Sequence, residues 1–219
     1  MRAYLIDSNI IAQWVLAKRI LKIALRELNL PNNMILAYEK RYSKSVELID
    51  KILHTKVTGE REFLTFDFNL FEVVKALKDE IRTMYLFNSG VPISRWNSRG
   101  EHAEIEVSDE LIDTVFNSYN EAQDELFEEN RISIISHPFS ETGDDWETFF
   151  SLYSSVVLNI PSVLTQDALI ISACLYKDIG YLITKDKDLK NLQAQISQIP
   201  TKKQLKLKII DPGDNSIWK

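Results

Sequence analysis

Apolar and polar positions along the chain follow two periods in turn, and their alternation predicts strands followed by helices. Ala3 to Ile6 is a short apolar run that stops at Asp7-Ser8-Asn9, the pattern of a buried strand handing over to a helix. Asp7 is thereby placed at a strand's carboxyl end. From Ile10, apolar residues recur at Trp14, Ala17, Leu21, Leu25 and Leu28, the stripe of an amphipathic helix, until Pro31 breaks it. A second helix is expected from about Asn33 to His54, with Thr58-Gly59 closing the segment, and Glu62 to Thr65 reads as a short strand. Asp67 or Asn69 is placed to cap the next helix, whose stripe is Leu70, Val74, Leu77, Ile81 and Met84, ending at Asn88-Ser89-Gly90. Glu72 falls in its first turn.

The segment from Gly90 to Asn130 reads differently. It opens as a loop rich in Pro, Gly and Asn and continues as a polar helix from Ser108 to about Glu128. It is treated as an insertion at 90–130 whose removal leaves a folded core. Ile132 to Ile135 returns to a buried strand, Asp144 to Leu158 to helical periodicity, and Pro161 introduces a helix over Thr165 to Lys177. Gly180 is expected to end that helix as a left-handed cap. Tyr181-Leu182-Ile183 is a further buried strand running into Thr184-Lys185-Asp186, and Leu205 to Ile210 is the last strand. The alternation implies a three-layer α/β/α domain over 1–219, with a mostly parallel sheet whose ligands sit at the strands' carboxyl ends.

Composition supports a globular chain. Of 219 residues, 45% are hydrophobic and 26% charged, with only 6 Gly and 6 Pro, enough to bury a core and little for disorder. The single cysteine, Cys174, excludes an internal disulfide, so a reducing cytoplasm is the expected compartment. Lys18, Arg19 and Lys22 interrupt the apolar start, which therefore reads as neither a signal peptide nor a membrane span. The net charge of −6 argues against a nucleic-acid coat protein but leaves room for a nuclease, because a carboxylate cluster built for metal is acidic until the ions arrive.

Four acids are candidates for that chemistry. Asp7 and Asp186 end predicted strands, while Glu72 and Asp167 begin predicted helices, and an α/β sheet can bring all four to one edge. Taken singly, each has a structural role open to it. Asp7 can cap the following helix, Asp167 can favour a helix dipole, Glu72 can be an exposed helix glutamate, and Asp186 or Asp188 can cap the next helix. A Ser-His nucleophile is disfavoured, since His54, His102 and His137 all lie outside these segments, and His137 before Pro138 reads as a loop histidine.

The combination resembles the PIN-domain ribonuclease family. Tyr4-Leu5-Ile6-Asp7-Ser8-Asn9, Phe71-Glu72-Val73-Val74, Gln166-Asp167-Ala168-Leu169-Ile170 and Leu182-Ile183-Thr184-Lys185-Asp186 occur in the order of that family's motifs. The likeness is looser around Glu72 and absent from 90–130. It implies a PIN-like fold and a metal-dependent endoribonuclease, similar to toxins of toxin-antitoxin pairs and to RNA-processing nucleases. RNA is then the substrate, and a cognate antitoxin protein and a homodimer are candidate partners. Asp7, Glu72, Asp167 and Asp186 match the family's metal-binding and catalytic acids, Asn9 and Thr184 its neighbouring polar positions, and Asp188 has a weaker claim. Mg2+ or Mn2+ suits such a set, being a hard ion that prefers oxygen donors. The alternative is a PIN-like module that binds RNA or protein without catalysis.

Two other α/β readings lose. A haloacid-dehalogenase-like phosphatase requires a second Asp where Asn9 stands, and a receiver domain requires a central strand that no segment between Pro31 and Thr65 supplies. For RNA contacts, Lys177, Lys185, Lys187 and Lys190 form one basic group and Lys202, Lys203, Lys206 and Lys208 another, each also readable as a solvated charge run. Trp96, Trp146 and Trp218 are candidate stacking platforms.

Overall fold

The computed structural model describes residues 1–55, 59–92, 108–128, 131–138, 146–199 and 206–219. Thr58, Trp96, His102, Asp144, Lys202, Lys203 and Leu205, singled out above, lie outside the described residues. Strands β1 (Arg2–Ile6), β2 (Arg61–Phe66), β3 (Ser133–Ile135), β4 (Tyr181–Ile183) and β5 (Lys208–Ile210) form one sheet in the order β3-β2-β1-β4-β5. Every pairing is parallel. The register sets Tyr4 opposite both Phe63 and Tyr181, and the three rings stack across the sheet with centroids 5.4 and 4.7 Å apart.

Parallel strands need helical crossovers, and these cover both faces. Tyr4 and Ile6 point into one core and Leu5 into another, as the two-residue period of a strand requires. The first core is closed by α1 (Ser8–Val15), a π-helical turn (Leu16–Ile20), α2 (Leu21–Glu27), α3 (Asn33–His54), α4 (Asp67–Asn88) and α5 (Asp109–Phe127). The second is closed by α6 (Trp146–Asn159), α7 (Thr165–Tyr176), α8 (Lys187–Asn191) and α9 (Gln193–Ile196). The architecture is three-layer α/β/α, and the near-continuous apolar runs of β1 and β4 follow from burial on both faces. Among the described residues no helix is long and apolar enough to cross a membrane.

The chain runs from β1 outward to β2 and β3, then returns to β4 on the other side of β1 and continues to β5. Strand order therefore reverses between β1 and β4. Open parallel sheets bind ligands at the carboxyl ends beside such a reversal.

Three expectations need correction. The first helical stretch is not one α-helix: a five-residue π-helical turn interrupts it, bringing Leu16, Ile20 and Leu21 all into the core and leaving Ala17 only half-buried. Gly180 does not supply the left-handed cap after α7; Asp178 does, with φ 58. Nor does the polar helix of 90–130 stand apart from the core. In α5, Leu111, Val115, Tyr119, Ala122 and Leu126 are buried in the first core. The Tyr119 hydroxyl donates to the Leu70 carbonyl at 3.1 Å, and Arg19 pairs with Glu125 at 2.6 Å.

Candidate functional site

The reversal between β1 and β4 fixes the first half of the site. The Asp7 amide donates to the Ile183 carbonyl at 3.1 Å and the Thr184 amide to the Ile210 carbonyl at 3.0 Å, extending the sheet one residue beyond each strand. Asp7 and Thr184 thus emerge side by side at the carboxyl edge. Asp7 stands at the N-cap of α1 in extended backbone, yet its side chain makes no capping bond. Its Oδ2 instead accepts from Asn9 Nδ2 and Thr184 Oγ1, both at 2.6 Å, and its Oδ1 from Ser8 Oγ at 3.2 Å. Thr184 Oγ1 also accepts the Asp186 amide at 2.9 Å, so its one proton is committed to Asp7. A single hydroxyl therefore couples the ends of β1 and β4.

The Ile6 carbonyl, immediately before Asp7, accepts from Thr65 Oγ1 at 3.2 Å and Asn69 Nδ2 at 3.4 Å. Asn69 is fully buried in this role and does not cap α4. Asp67 Oδ1 accepts from the Phe68 and His137 amides, at 2.7 and 2.9 Å. Because α4 begins at Asp67, Glu72 lies in its second turn rather than its first.

A cavity of about 380 Å³ opens at this edge, lined by Asp7, Ser8, Asn9, Glu72, Asp167 and Asp186 among others. The four acids arrive from four elements: the β1–α1 junction, α4, the first turn of α7 and the N-cap of α8. Ser8 Oγ also reaches Glu72 Oε2 at 3.1 Å. One hydroxyl proton cannot serve both Asp7 and Glu72, so the two carboxyls compete for it. Asp186 Oδ1 accepts from the Asp188 and Leu189 amides at 2.7 and 3.3 Å, so its capping role is real, while its other oxygen makes no hydrogen bond among the described residues. The exposed Asp188 is not part of the cavity wall.

Burial, reinforced by neighbouring carboxylates, raises the pKa of Asp7, Glu72 and Asp167. Burial pushes the Asp7 carboxyl above its ordinary value, opposed by the hydrogen bonds from Thr184 and Ser8 and reinforced by the charge of Asp186. Glu72 is raised mainly by burial, with the Ser8 bond and Lys75 opposing and Asp7 reinforcing. Asp167 is pushed up to about 6 by burial and then by the charges of Asp186, Asp7, Glu72 and Asp188. Among the described residues none of the four is in an ion pair. Lys75, the only base among the wall residues, is held by Asp79 at 3.2 Å.

An oxygen-only donor set with unneutralised charge fits magnesium or manganese and disfavours soft metals. As the side chains stand, no group of three or more His, Cys, Asp or Glu residues among those described is gathered to hold an ion. Asp7 is fixed by its three donors, whereas the Asp167 side chain makes no hydrogen bond among the described residues. The set matches a hard ion in chemistry and is not closed around one.

Cations collect beside the cavity rather than in it. Lys185 Nζ donates to the Arg41 carbonyl at 2.6 Å, Lys190 and Lys44 hold Asp211 at 2.8 and 3.2 Å, and Arg41 pairs with Glu80 at 3.1 Å. Lys187, Lys206 and Lys208 are exposed, and Lys177 lies over the Tyr176 ring. Trp218 packs against Phe63 under Lys51, and the partly exposed Trp146 stacks on Phe150; neither lines the cavity. His137 is buried against Phe66 and Phe149, and His54 is exposed with Nδ1 against the Asp50 carbonyl.

Ser8, Thr65, Arg41 and Lys44 were not singled out by sequence, and Asn69 was named only as a helix cap. Ser8 sits inside the Asp-Ser-Asn segment and could have been included on adjacency. The contacts of the other four reach across 39 residues or more, to Ile6, Glu80, Asp211 or Lys185, and carry no local signal. No protein-family model, curated protein or solved structure matches this chain.

Proposed function

We propose that the chain is a PIN-like, divalent-metal-dependent endoribonuclease, with Asp7, Glu72, Asp167 and Asp186 as its metal-binding acids. One observation carries the reading: four carboxylates from four elements line one cavity at the strand-order reversal, mutually repelling and without an ion pair among the described residues. A structural explanation of the set is weak, because only Asp186 among the four performs a capping role. The resemblance of the Asp7, Glu72, Asp167 and Asp186 segments to PIN nucleases supplies the substrate class, RNA.

A bound magnesium or manganese ion would neutralise the carboxylates and activate a water toward the phosphodiester. Asp7 contributes a carboxylate whose orientation is fixed before any ligand arrives, since Thr184 and Asn9 both donate to Oδ2. Asp167 and Asp186 line the cavity from helices of the second layer and Glu72 from a helix of the first. Hydrolysis breaks a phosphorus–oxygen bond of the RNA backbone and adds water across it, and Glu72 and Asp167, raised in the empty site by burial and by neighbouring charge, would be held charged by the ion.

The reading of a binding module without catalysis is favoured by one observation, that among the described residues no three acids are gathered as an ion would need. Incubation of the protein with manganese and labelled single-stranded RNA separates the two. Metal-dependent cleavage by the wild type, lost in Asp7→Asn, is expected; no cleavage, or equal cleavage by the variant, supports the silent module or a site elsewhere.

A further inference from the structure

Beyond the four acids, the carboxyl edge carries a cationic cluster built from three separate parts of the chain. Arg41 and Lys44 come from α3, Lys185 from the β4–α8 link and Lys190 from α8. They meet around Asp211, which Lys190 and Lys44 both hold, and around the Arg41 backbone, which Lys185 binds. Three of the four cations pair with two carboxylates, Asp211 and Glu80, and Lys185 binds a backbone carbonyl instead. Exposed ion pairs stabilise a fold by about 0 to 1 kcal/mol, so the gathering of four cations is poorly explained by stability.

The cluster adjoins the cavity at three places. Glu80, the partner of Arg41, lines it; Asp186, next to Lys185, lines it; and Leu189, next to Lys190, lines it. A polyanion whose scissile phosphate enters an acidic cavity needs positive charge immediately outside it, where neighbouring phosphates lie. Arg41 and Lys44 are 57% and 58% exposed and so can reach such phosphates.

We propose that Arg41, Lys44, Lys185 and Lys190 form a seat for the RNA phosphate backbone beside the cavity, holding the nucleotides that flank the bond to be cut. The inference rests on the reading of the cavity as an RNA-cleaving site. It gives the substrate a path, from the α3–α8 edge across Asp186 to Asp7. The four residues are positioning residues and touch no reacting atom.

The test is binding of labelled single-stranded RNA in chelator, measured by fluorescence anisotropy across a salt series. Wild type, Arg41→Gln, Lys44→Gln and Lys187→Gln are compared, Lys187 being exposed and outside the cluster. Each phosphate contact contributes about −0.7 to the slope of log affinity against log salt for a single strand. The slope is expected to weaken by about 0.7 in Arg41→Gln and in Lys44→Gln and to stay at the wild-type value in Lys187→Gln. Unchanged slopes in the two cluster variants, an equal loss in Lys187→Gln, or no RNA binding by the wild type would overturn the proposal. Manganese-dependent cleavage assayed in the same proteins separates the two ideas. Cleavage with unchanged slopes removes the seat and keeps the nuclease, while lost slopes without cleavage keep the seat and remove the nuclease.

Discussion

At Asp7 two effects oppose each other on one carboxyl group: burial favours the protonated form, and donors from Thr184, Asn9 and Ser8 favour the charged one. Thr184 is the hinge of that balance, since it donates to Asp7 and accepts from the Asp186 amide. Thr184→Val is expected to cost about 1 to 3 kcal/mol, the range for leaving buried polar groups unpaired, read as a lower urea midpoint in chelator, with Thr184→Ser restoring most of the loss. Asp167 gives a prediction in pH. Its folded pKa of about 6 exceeds the ordinary unfolded value of about 3.9, so between those values the native state holds a proton that the unfolded chain lacks. Stability of the metal-free protein from this group is present below about pH 4 and lost as pH rises through about 6. Asp167→Asn should therefore be more stable than wild type at pH 7 and lose that advantage by about pH 4. Denaturant midpoints across this window check it, and a constant difference between the two proteins would contradict it. Asp7 and the Thr184-Lys185-Asp186 turn were legible because each follows an apolar run that a parallel sheet must bury. Ser8 was not, because its reach to Glu72 is set by how α4 packs on α1.

Strands β1 and β4 were legible as elements for the same reason, whereas β3 was expected to be buried and is a half-exposed edge strand; α3 and α4 were legible because their stripes are long and end at turn residues, although Val73 rather than the expected Val74 is buried. The π-helical turn was not legible, since one extra residue in a helical turn shifts a stripe without breaking it. Helix α5 is the instructive failure. Its overall polarity hid an apolar stripe at Leu111, Val115, Tyr119, Ala122 and Leu126, spaced by four, four, three and four, which is a core-facing helix signal. Leu126→Ala is expected to destabilise the protein by about 2 to 5 kcal/mol, as for other fully buried leucines. Removing 108–128 should abolish cooperative unfolding followed by circular dichroism, because it strips a wall from the first core. A deletion variant with a sharp transition near the wild-type midpoint would show that α5 is dispensable.

Over the whole molecule, the strand order places the only sheet-edge reversal among the described residues where the acids converge, and α3 brings cations beside it. The formal charge of −6 is thus unevenly distributed, with carboxylates concentrated where a divalent ion would relieve their repulsion. Manganese should accordingly stabilise the fold. At one hundred times the dissociation constant, one ion bound to the native state alone adds about 2.7 kcal/mol. Each kcal/mol moves the midpoint of a chain this long by roughly 2 to 4 °C, so a shift of about 5 to 10 °C is expected. The most direct test of the four-acid site is thermal unfolding of wild type and Asp167→Asn at pH 7, in chelator and in manganese, at matched ionic strength. The account predicts that Asp167→Asn melts higher than wild type in chelator and gains little from manganese, while wild type gains the full shift. Equal metal-induced shifts in the two proteins, or none in wild type, would contradict it.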